Sequence, residues 1–227
     1  MSVTGAATRV GMAPRAAGLT FETAQEHWRT EHRDVALGIP GLIGYVQNHA
    51  VLSDGVPLLP YPGFDMCAET EFADFETMRR GFASEHYRQT VRNDEQNLID
   101  GNRFMLALTR RQVLVDGAPA EDAVKLITLL RTHPASTRER MIETLLGPYV
   151  EAASEARPQR HELLITQPEE HEPGLPPCCD AIDLLWFSSP DEALEALRAV
   201  LSDRAGWLLA GIAFGTERLL AKPIRQR

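Results

Sequence analysis

The most reactive side chains in this sequence are concentrated in residues 26–32, which read Glu-His-Trp-Arg-Thr-Glu-His. Trp28 and His32 are four residues apart, so on a helix they share one face. Apolar residues extend this face in both directions, which predicts that His32 points toward buried groups. Imidazole titrates near neutral pH, so His32 could act as a general acid or base. The alternative is a core histidine that is hydrogen-bonded to a backbone carbonyl.

The predicted strand at residues 41–51 carries two further candidates, Tyr45 and Asn48. They are three residues apart, so their side chains point to opposite faces of the strand. Tyr45 could donate a hydrogen bond to a substrate oxygen. The alternative is a half-buried tyrosine that packs against its neighbours with a solvated hydroxyl group.

A polar stretch at residues 84–100 contains His86, Tyr87 and Asp94. Carboxylates commonly hold a catalytic histidine in one orientation, so Asp94 could orient His32. His86 is the alternative orienting residue. The alternative for this stretch is a solvated helix whose charged side chains pair with one another.

Other classes of site have weaker signals. The sequence has no glycine-rich phosphate loop, no GxSxG motif and no HExxH motif. His161 and His171 lie beside acidic residues, which predicts solvated surface. A haem site in the second half would need an axial histidine, and His133 or His161 would have to supply it. We therefore predict that the protein uses no cofactor and no metal.

Composition narrows the choice of partner. The 227 residues carry a formal net charge of −9, with 44% hydrophobic and 24% charged residues. A negative chain of this kind is not expected to bind nucleic acid or anionic membranes. No run of about 18 apolar residues and no signal peptide is visible. Three cysteines without a CxxC motif suit a reducing compartment, so we predict a cytoplasmic protein. The partner that we predict is a small-molecule substrate.

The elements that position these side chains follow from periodicity, helix caps and chain breakers. The first half predicts the order strand, helix, strand, strand, helix, strand, which is the ferredoxin-like arrangement. The second half repeats this order, which predicts two units at residues 1–117 and 118–227. The predicted strands are 8–12, 41–51, 64–72, 103–115, 123–131, 160–166, 180–187 and 207–220; the predicted helices are 21–37, 74–83, 85–98, 136–153 and 190–201.

Two such units have a reason to associate. A four-stranded sheet covers one face with its two helices and leaves the other face bare, and large bare apolar faces tend to associate. Tandem fusion holds the second sheet at high effective concentration. The sequence therefore predicts an α+β fold in which the sheets of two fused ferredoxin-like repeats cover each other.

The first half resembles the EthD family. The resemblance rests on the helix motif at residues 27–32, on the strand entry Ile-Pro-Gly-Leu-Ile-Gly-Tyr-Val-Gln-Asn at residues 39–48, and on Asp94-Glu95 before the last strand. It covers roughly residues 8–115. The second half departs from the pattern, because Tyr149 and Val150 fall roughly where Trp28 and His32 would be expected.

The resemblance implies a dimeric α+β barrel, in which the second repeat replaces the partner subunit of a homodimer. It also implies kinship with cofactor-independent isomerases, polyketide cyclases, dehydratases and decarboxylases. We therefore expect a lyase or isomerase for an aromatic or polyketide-like molecule. The predicted catalytic residues are His32, Tyr45, Asp94 and His86, and the predicted substrate-binding residues are Trp28, Asn48 and Tyr87.

Two other functions stay open at this point. The chain could be a non-catalytic protein that binds a small molecule or assists a degradative oxygenase, or it could be a haem-handling barrel protein. A homo-oligomer of fused pseudo-dimers also stays open.

Overall fold

The computed structural model describes residues 2–214 and 217–227, and the side chains of residues 5–214 and 217–227. In the first half, helices alternate with strands in the predicted order. The strands are β1 (Ser2–Ala13), β2 (Leu42–Ala50), β3 (Leu52–Ser53), β4 (Val56–Pro57), β5 (Met66–Phe72) and β6 (Met105–Val115).

The first helical segment begins after Thr20, whose hydroxyl oxygen accepts a hydrogen bond from the backbone amide of Thr23 at 3.1 Å. Asp74 caps the next helix in the same way, through the amide of Thr77 at 2.7 Å. The helices are α1 (Phe21–His27), which continues through a π-helical turn (Trp28–His32) into α2 (Arg33–Ala36), then α3 (Phe75–Phe82), and a π-helical turn (Tyr87–Val91) that leads into α4 (Arg92–Leu98).

The second half repeats this order with one difference from the prediction. Its elements are β7 (Val124–Thr132), α5 (Arg138–Leu146), α6 (Pro148–Ser154), β8 (Arg160–Thr166), β9 (Ala181–Phe187), α7 (Pro190–Ala196) with a π-helical turn (Leu197–Leu201), α8 (Arg204–Leu209), β10 (Ala213–Phe214) and β11 (Arg218–Arg225). The predicted strand region at 207–220 is correct only in part: its first residues belong to α8, whereas β10 and the start of β11 lie within it. A short apolar run does not by its pattern distinguish a helix from a strand.

The eight long strands form a closed antiparallel barrel. The order is β2-β5-β1-β6 in the first half and β11-β7-β9-β8 in the second. Each half is thus a ferredoxin-like sheet, and two ladders join the halves, β6 with β8 and β2 with β11. The predicted α+β barrel is confirmed. No helix in the described part of the chain is both long enough and apolar enough to cross a bilayer.

Alternate residues of each strand face the barrel interior, where charged side chains from the two halves meet. The Lys125 ammonium group lies 2.6 Å from one carboxylate oxygen of Glu69, and the Arg111 guanidinium lies 2.9 Å from the other. Arg111 also pairs with Glu162. Lys125 and Glu162 belong to the second half and Glu69 and Arg111 to the first, so this network ties the halves together.

The network keeps Glu69 ionised although the residue is buried. Burial by itself raises the pKa of a carboxyl group, but here the charges of Lys125 and Arg111 together outweigh it. The pKa of Glu69 therefore lies far below its usual range. Its contribution to stability is present above the unfolded-state pKa of about 4.3 and is lost as the pH falls below it.

We expect Glu69→Gln to lower the free energy of unfolding by about 3 kcal/mol, because it leaves Lys125 buried without a counter-charge. Urea denaturation at pH 7, followed by circular dichroism, measures the change. The matched control is Glu76→Gln, which breaks an exposed pair with Arg80 and should cost less than about 0.5 kcal/mol. Similar small losses in both variants would show that the buried network does not hold the halves together.

Candidate active site

A cavity of about 60 Å³ lies between the helices of the first half and the outer face of the barrel sheet. Trp28 and His32 enter it from the π-helical turn, Tyr45 from β2 and Arg9 from β1. Glu95 lines it from α4. Its remaining walls are mostly apolar and include Met66, Phe82, Val91, Leu98 and Phe104.

Both ring side chains of the π-helical turn, Trp28 and His32, point into the protein. Trp28 and His32 are buried, with exposed fractions of 2% and 8%. The four-residue spacing predicts a shared face, and this turn preserves it with a slightly wider helical period. Such turns occur frequently at functional sites.

Asp94 links two histidines of the first helical segment. One carboxylate oxygen lies 2.7 Å from Nδ1 of His32, and the other lies 2.7 Å from Nε2 of His27. An ionised carboxylate only accepts hydrogen bonds, so Nδ1 of His32 carries a hydrogen. In the neutral imidazole, Nε2 of His32 then keeps its lone pair, as a general base requires.

The surroundings of Asp94 favour the ionised form of its carboxyl group. Burial raises the pKa of this carboxyl group, but the hydrogen bonds from His32 and His27 outweigh burial and place the pKa below its usual value. The other nitrogen of His27 lies 2.9 Å from the Glu31 carboxylate. Only the imidazolium form of His27 satisfies both of its carboxylate partners at once.

Tyr45 lies at the floor of the cavity and is almost fully buried. Its hydroxyl oxygen accepts a hydrogen bond from the side-chain amide of Gln47 at 3.0 Å, and the same amide donates to the backbone carbonyl of Trp28 at 2.5 Å. Burial raises the pKa of Tyr45 to about 12, so the phenol keeps its hydrogen and can donate it. Gln47 is not among the predicted site residues, although the strand period places it on the same face as Tyr45.

Arg9 also lines the cavity and is not among the predicted site residues. Its guanidinium lies 4.3 Å from the ring centre of Phe82 and 5.1 Å from that of Phe104. No carboxylate among the described residues lies within 4 Å of it. A side chain at Gly11 would come within 3.0 Å of Arg9 and 3.1 Å of Phe104, so this glycine makes room for the cation. An isolated strand arginine gives no signal that separates it from solvated surface.

The structure places His86 and Tyr87 at the edge of this arrangement. Nε2 of His86 lies 2.8 Å from the carbonyl oxygen of Val35, so His86 holds the end of α2 and does not touch His32. Asp94 makes the contact for which His86 was the alternative. The Tyr87 hydroxyl donates to the Glu95 carboxylate at 2.9 Å and reaches the cavity through that residue.

Asn48 lies on the opposite side of the sheet from His32. Its side-chain amide donates to the carbonyl of Cys67 at 3.1 Å and to the carboxylate of Glu69 at 3.0 Å, inside the barrel. The structure therefore does not bring Asn48 together with His32, and its substrate-binding role stays a prediction. The reason is the strand alternation that separates it from Tyr45.

The second half treats its histidine differently. The prediction of solvated surface is wrong for His161, which is fully buried with Nε2 at 2.7 Å from Asp183, and Asp183 also accepts from the Tyr149 hydroxyl at 2.6 Å. The second-half cavity of about 300 Å³ has no histidine among its described lining residues. Neither His161 nor His133 lines it, so these residues do not fit a histidine-ligated haem there.

The EthD domain profile matches residues 16–102. This part of the chain is an EthD domain. The match contains the π-helical turn, β2 and the start of α4 with Asp94. No curated protein sequence matches the chain.

Solved structures extend the likeness to the whole barrel around the EthD domain. An anthrone oxidase-like protein covers 98% of this chain and 94% of its own, with a TM-score of 0.62 at 10% identity. The match to a mutant chlorite dismutase from Candidatus Nitrospira defluvii covers 99% of this chain and 94% of that protein, with a TM-score of 0.57 at 10% identity. The match to a provisionally named monooxygenase from Lactobacillus acidophilus NCFM covers 98% of this chain and 95% of that protein, with a TM-score of 0.57 at 11% identity. At these identities the likeness shows the fold alone.

His49 packs behind the EthD-domain cavity and provides a test of its burial. Its ring lies 4.5 Å from that of Trp28, and Nδ1 lies 2.7 Å from the Gln25 side-chain oxygen. Burial, and then the charge of Arg29, lower the pKa of His49 to about 4. The unfolded chain, with a histidine pKa of about 6.5, takes up this proton earlier.

We therefore expect the imidazole signals of His49 to titrate near pH 4 in the folded protein and near 6.5 in urea, as measured by NMR. The free energy of unfolding should fall as the pH is lowered from about 6.5 toward 4, because the unfolded state binds more protons there. His49→Gln should reduce that fall. A midpoint of 6 or above in the folded protein would contradict the burial of this ring.

Proposed function

We propose that this protein is a cofactor-independent enzyme that removes a proton from carbon in a small aromatic or polyketide-like carbonyl compound, as a lyase or isomerase does. The observation that supports the proposal is the pairing of His32 with Asp94 at an apolar cavity. Asp94 occupies Nδ1, which leaves Nε2 of His32 as the nitrogen free to take a proton. General base catalysis of this kind contributes about 10²- to 10⁴-fold.

In the proposed reaction, Nε2 of His32 takes a proton from the carbon beside the substrate carbonyl. The electron pair of the broken C–H bond moves to the carbonyl oxygen and forms an enolate. Asp94 stabilises the imidazolium that results, as a buried carboxylate does beside a catalytic histidine. The proton then returns to another substrate atom in an isomerisation, or joins a departing hydroxide as water in a dehydration.

Two groups on the sheet side of the cavity suit the enolate oxygen. The Tyr45 hydroxyl is a neutral donor because its pKa is raised to about 12, and the Arg9 guanidinium is a cation without an acidic partner within 4 Å among the described residues. Donors that are in place before charge develops stabilise a transition state more than a ground state. Phe82 and Phe104 restrict the movement of Arg9.

The size of the cavity limits what reacts in the closed form. A volume of about 60 Å³ compares with the roughly 30 Å³ that one water occupies in the liquid, and typical ligand pockets span about 300–1,000 Å³. A ring-sized substrate therefore requires the helices over the sheet to move outward. We propose that only the carbonyl end of the substrate enters the cavity, while α4 and the π-helical turn stay joined through Asp94.

The test is deuterium exchange at carbon, with phenylacetone and acetophenone as probes in D₂O and proton NMR as the readout. We expect the wild-type protein to accelerate exchange beside the carbonyl group. His32→Gln should slow the protein-dependent rate by at least about 100-fold, because it removes the base. Asp94→Asn should slow it by a smaller factor, since the base remains but loses its charged partner.

The control is His133→Gln, which removes a histidine of the second half that lies outside the cavity and should leave the exchange rate unchanged. The proposal fails if His32→Gln and wild type exchange the probes at the same rate above background. Thermal unfolding followed by circular dichroism checks that each variant is folded.

A further inference from the structure

A second, much larger cavity lies at one end of the barrel. It has a volume of about 910 Å³, and it shares no described lining residue with the cavity around His32. It lies where β1 and β2 end and β5 and β11 begin, so both halves contribute to its walls. Ligand sites commonly occupy such junctions, and this volume lies within their usual range.

The cover of this cavity is the loop at residues 53–63. Strands β3 and β4 form a small hairpin within it. The backbone amide of Leu58 donates to the carbonyl of Val51 at 3.0 Å, and the amide of Val51 donates to the carbonyl of Leu220 on β11 at 2.8 Å. The cover is thus attached to the sheet, and three prolines restrict its backbone further: Pro57, Pro60 and Pro62.

The walls are largely apolar, and the rim is too. Leu59, Phe64 and Leu219 are among the lining side chains. Val56 and Tyr61, on the cover, have exposed fractions of 64% and 55%. Large apolar side chains that stay exposed beside an opening mark ligand sites. The cavity therefore suits a rigid apolar body.

The charge of the lining runs against that of the protein. In a chain of net charge −9, the lining contains three arginines and one aspartate. Arg15 is neutralised by Asp65 at 2.8 Å, and Arg103 pairs with Asp100 at 2.8 Å. Arg218 lines both this cavity and the second-half cavity beside Tyr149, and it has no carboxylate within 4 Å among the described residues.

From these observations we propose that the barrel-end cavity binds an amphipathic organic anion, which places a flat apolar body against the loop cover and a carboxylate or sulfonate group at Arg218. The site is independent of the proposed chemistry at His32, because the two cavities are separate.

The probe is 8-anilinonaphthalene-1-sulfonate, with N-phenyl-1-naphthylamine as the matched compound that lacks the sulfonate. We expect the sulfonate to bind the native protein at one site and Arg218→Gln to weaken it at least 10-fold. The neutral amine should change by less than threefold in the same variant. Fluorescence titration measures both affinities.

Three further variants locate the binding. Leu59→Trp puts a larger side chain into the cavity lining and should weaken both probes. Arg140→Gln removes an exposed arginine that does not line the cavity and should change neither, and His32→Gln should also change neither. Arg218→Lys, which keeps the positive charge, should recover part of the sulfonate affinity if Arg218→Gln acts through charge.

The inference is overturned if Arg218→Gln and Arg140→Gln bind the sulfonate equally well, or if Leu59→Trp leaves both probes unaffected. It is also overturned if the neutral amine loses as much affinity as the sulfonate in Arg218→Gln. Near-ultraviolet circular dichroism verifies native packing in every variant. An unchanged exchange rate in His32→Gln would defeat the proposed enzyme without affecting these outcomes.

Discussion

Closure of the barrel is the constraint on which the rest of this structure depends. Each ferredoxin-like sheet ends in two strands that have an unpaired edge, and unpaired backbone groups promote association with other chains. The ladders β6–β8 and β2–β11 pair all four of these edges within one chain. Closure also brings Glu69 to Lys125 and Arg111 to Glu162 across the interior, so ions that would be costly alone are buried as partners.

The two halves use the same topology to bury polar groups in different ways. In the first half, α4 supplies Asp94, which occupies one nitrogen of His32 and leaves the other free. In the second half, His161 and Tyr149 engage one oxygen each of Asp183, while Nδ1 of His161 is buried without a hydrogen-bond partner among the described residues. Both oxygens of the second-half carboxylate are thus occupied by side chains of the protein itself.

The two candidate ligand sites differ in the same physical terms. The cavity at His32 is small, and the Tyr45 hydroxyl makes its floor polar. The barrel-end cavity is large, apolar and bordered by arginines, without a histidine among its described lining residues. The first arrangement is the basis of the proposed reaction. The second is the basis of the proposed binding of a molecule with an apolar body and an acidic group.

The sequence by itself determined the order of elements up to about residue 201, because strand and helix periods and the cap at Thr20 are local properties. It also determined that Trp28 and His32 share a face and that Tyr45 and Asn48 do not. Only the tertiary structure decided that Asp94, rather than His86, meets His32, that Arg9 stands over Gly11 unpaired, and that His161 is buried. The reason is that periodicity reports which side of its own element a residue occupies, whereas the residue that faces it comes from packing between segments that are far apart in the chain.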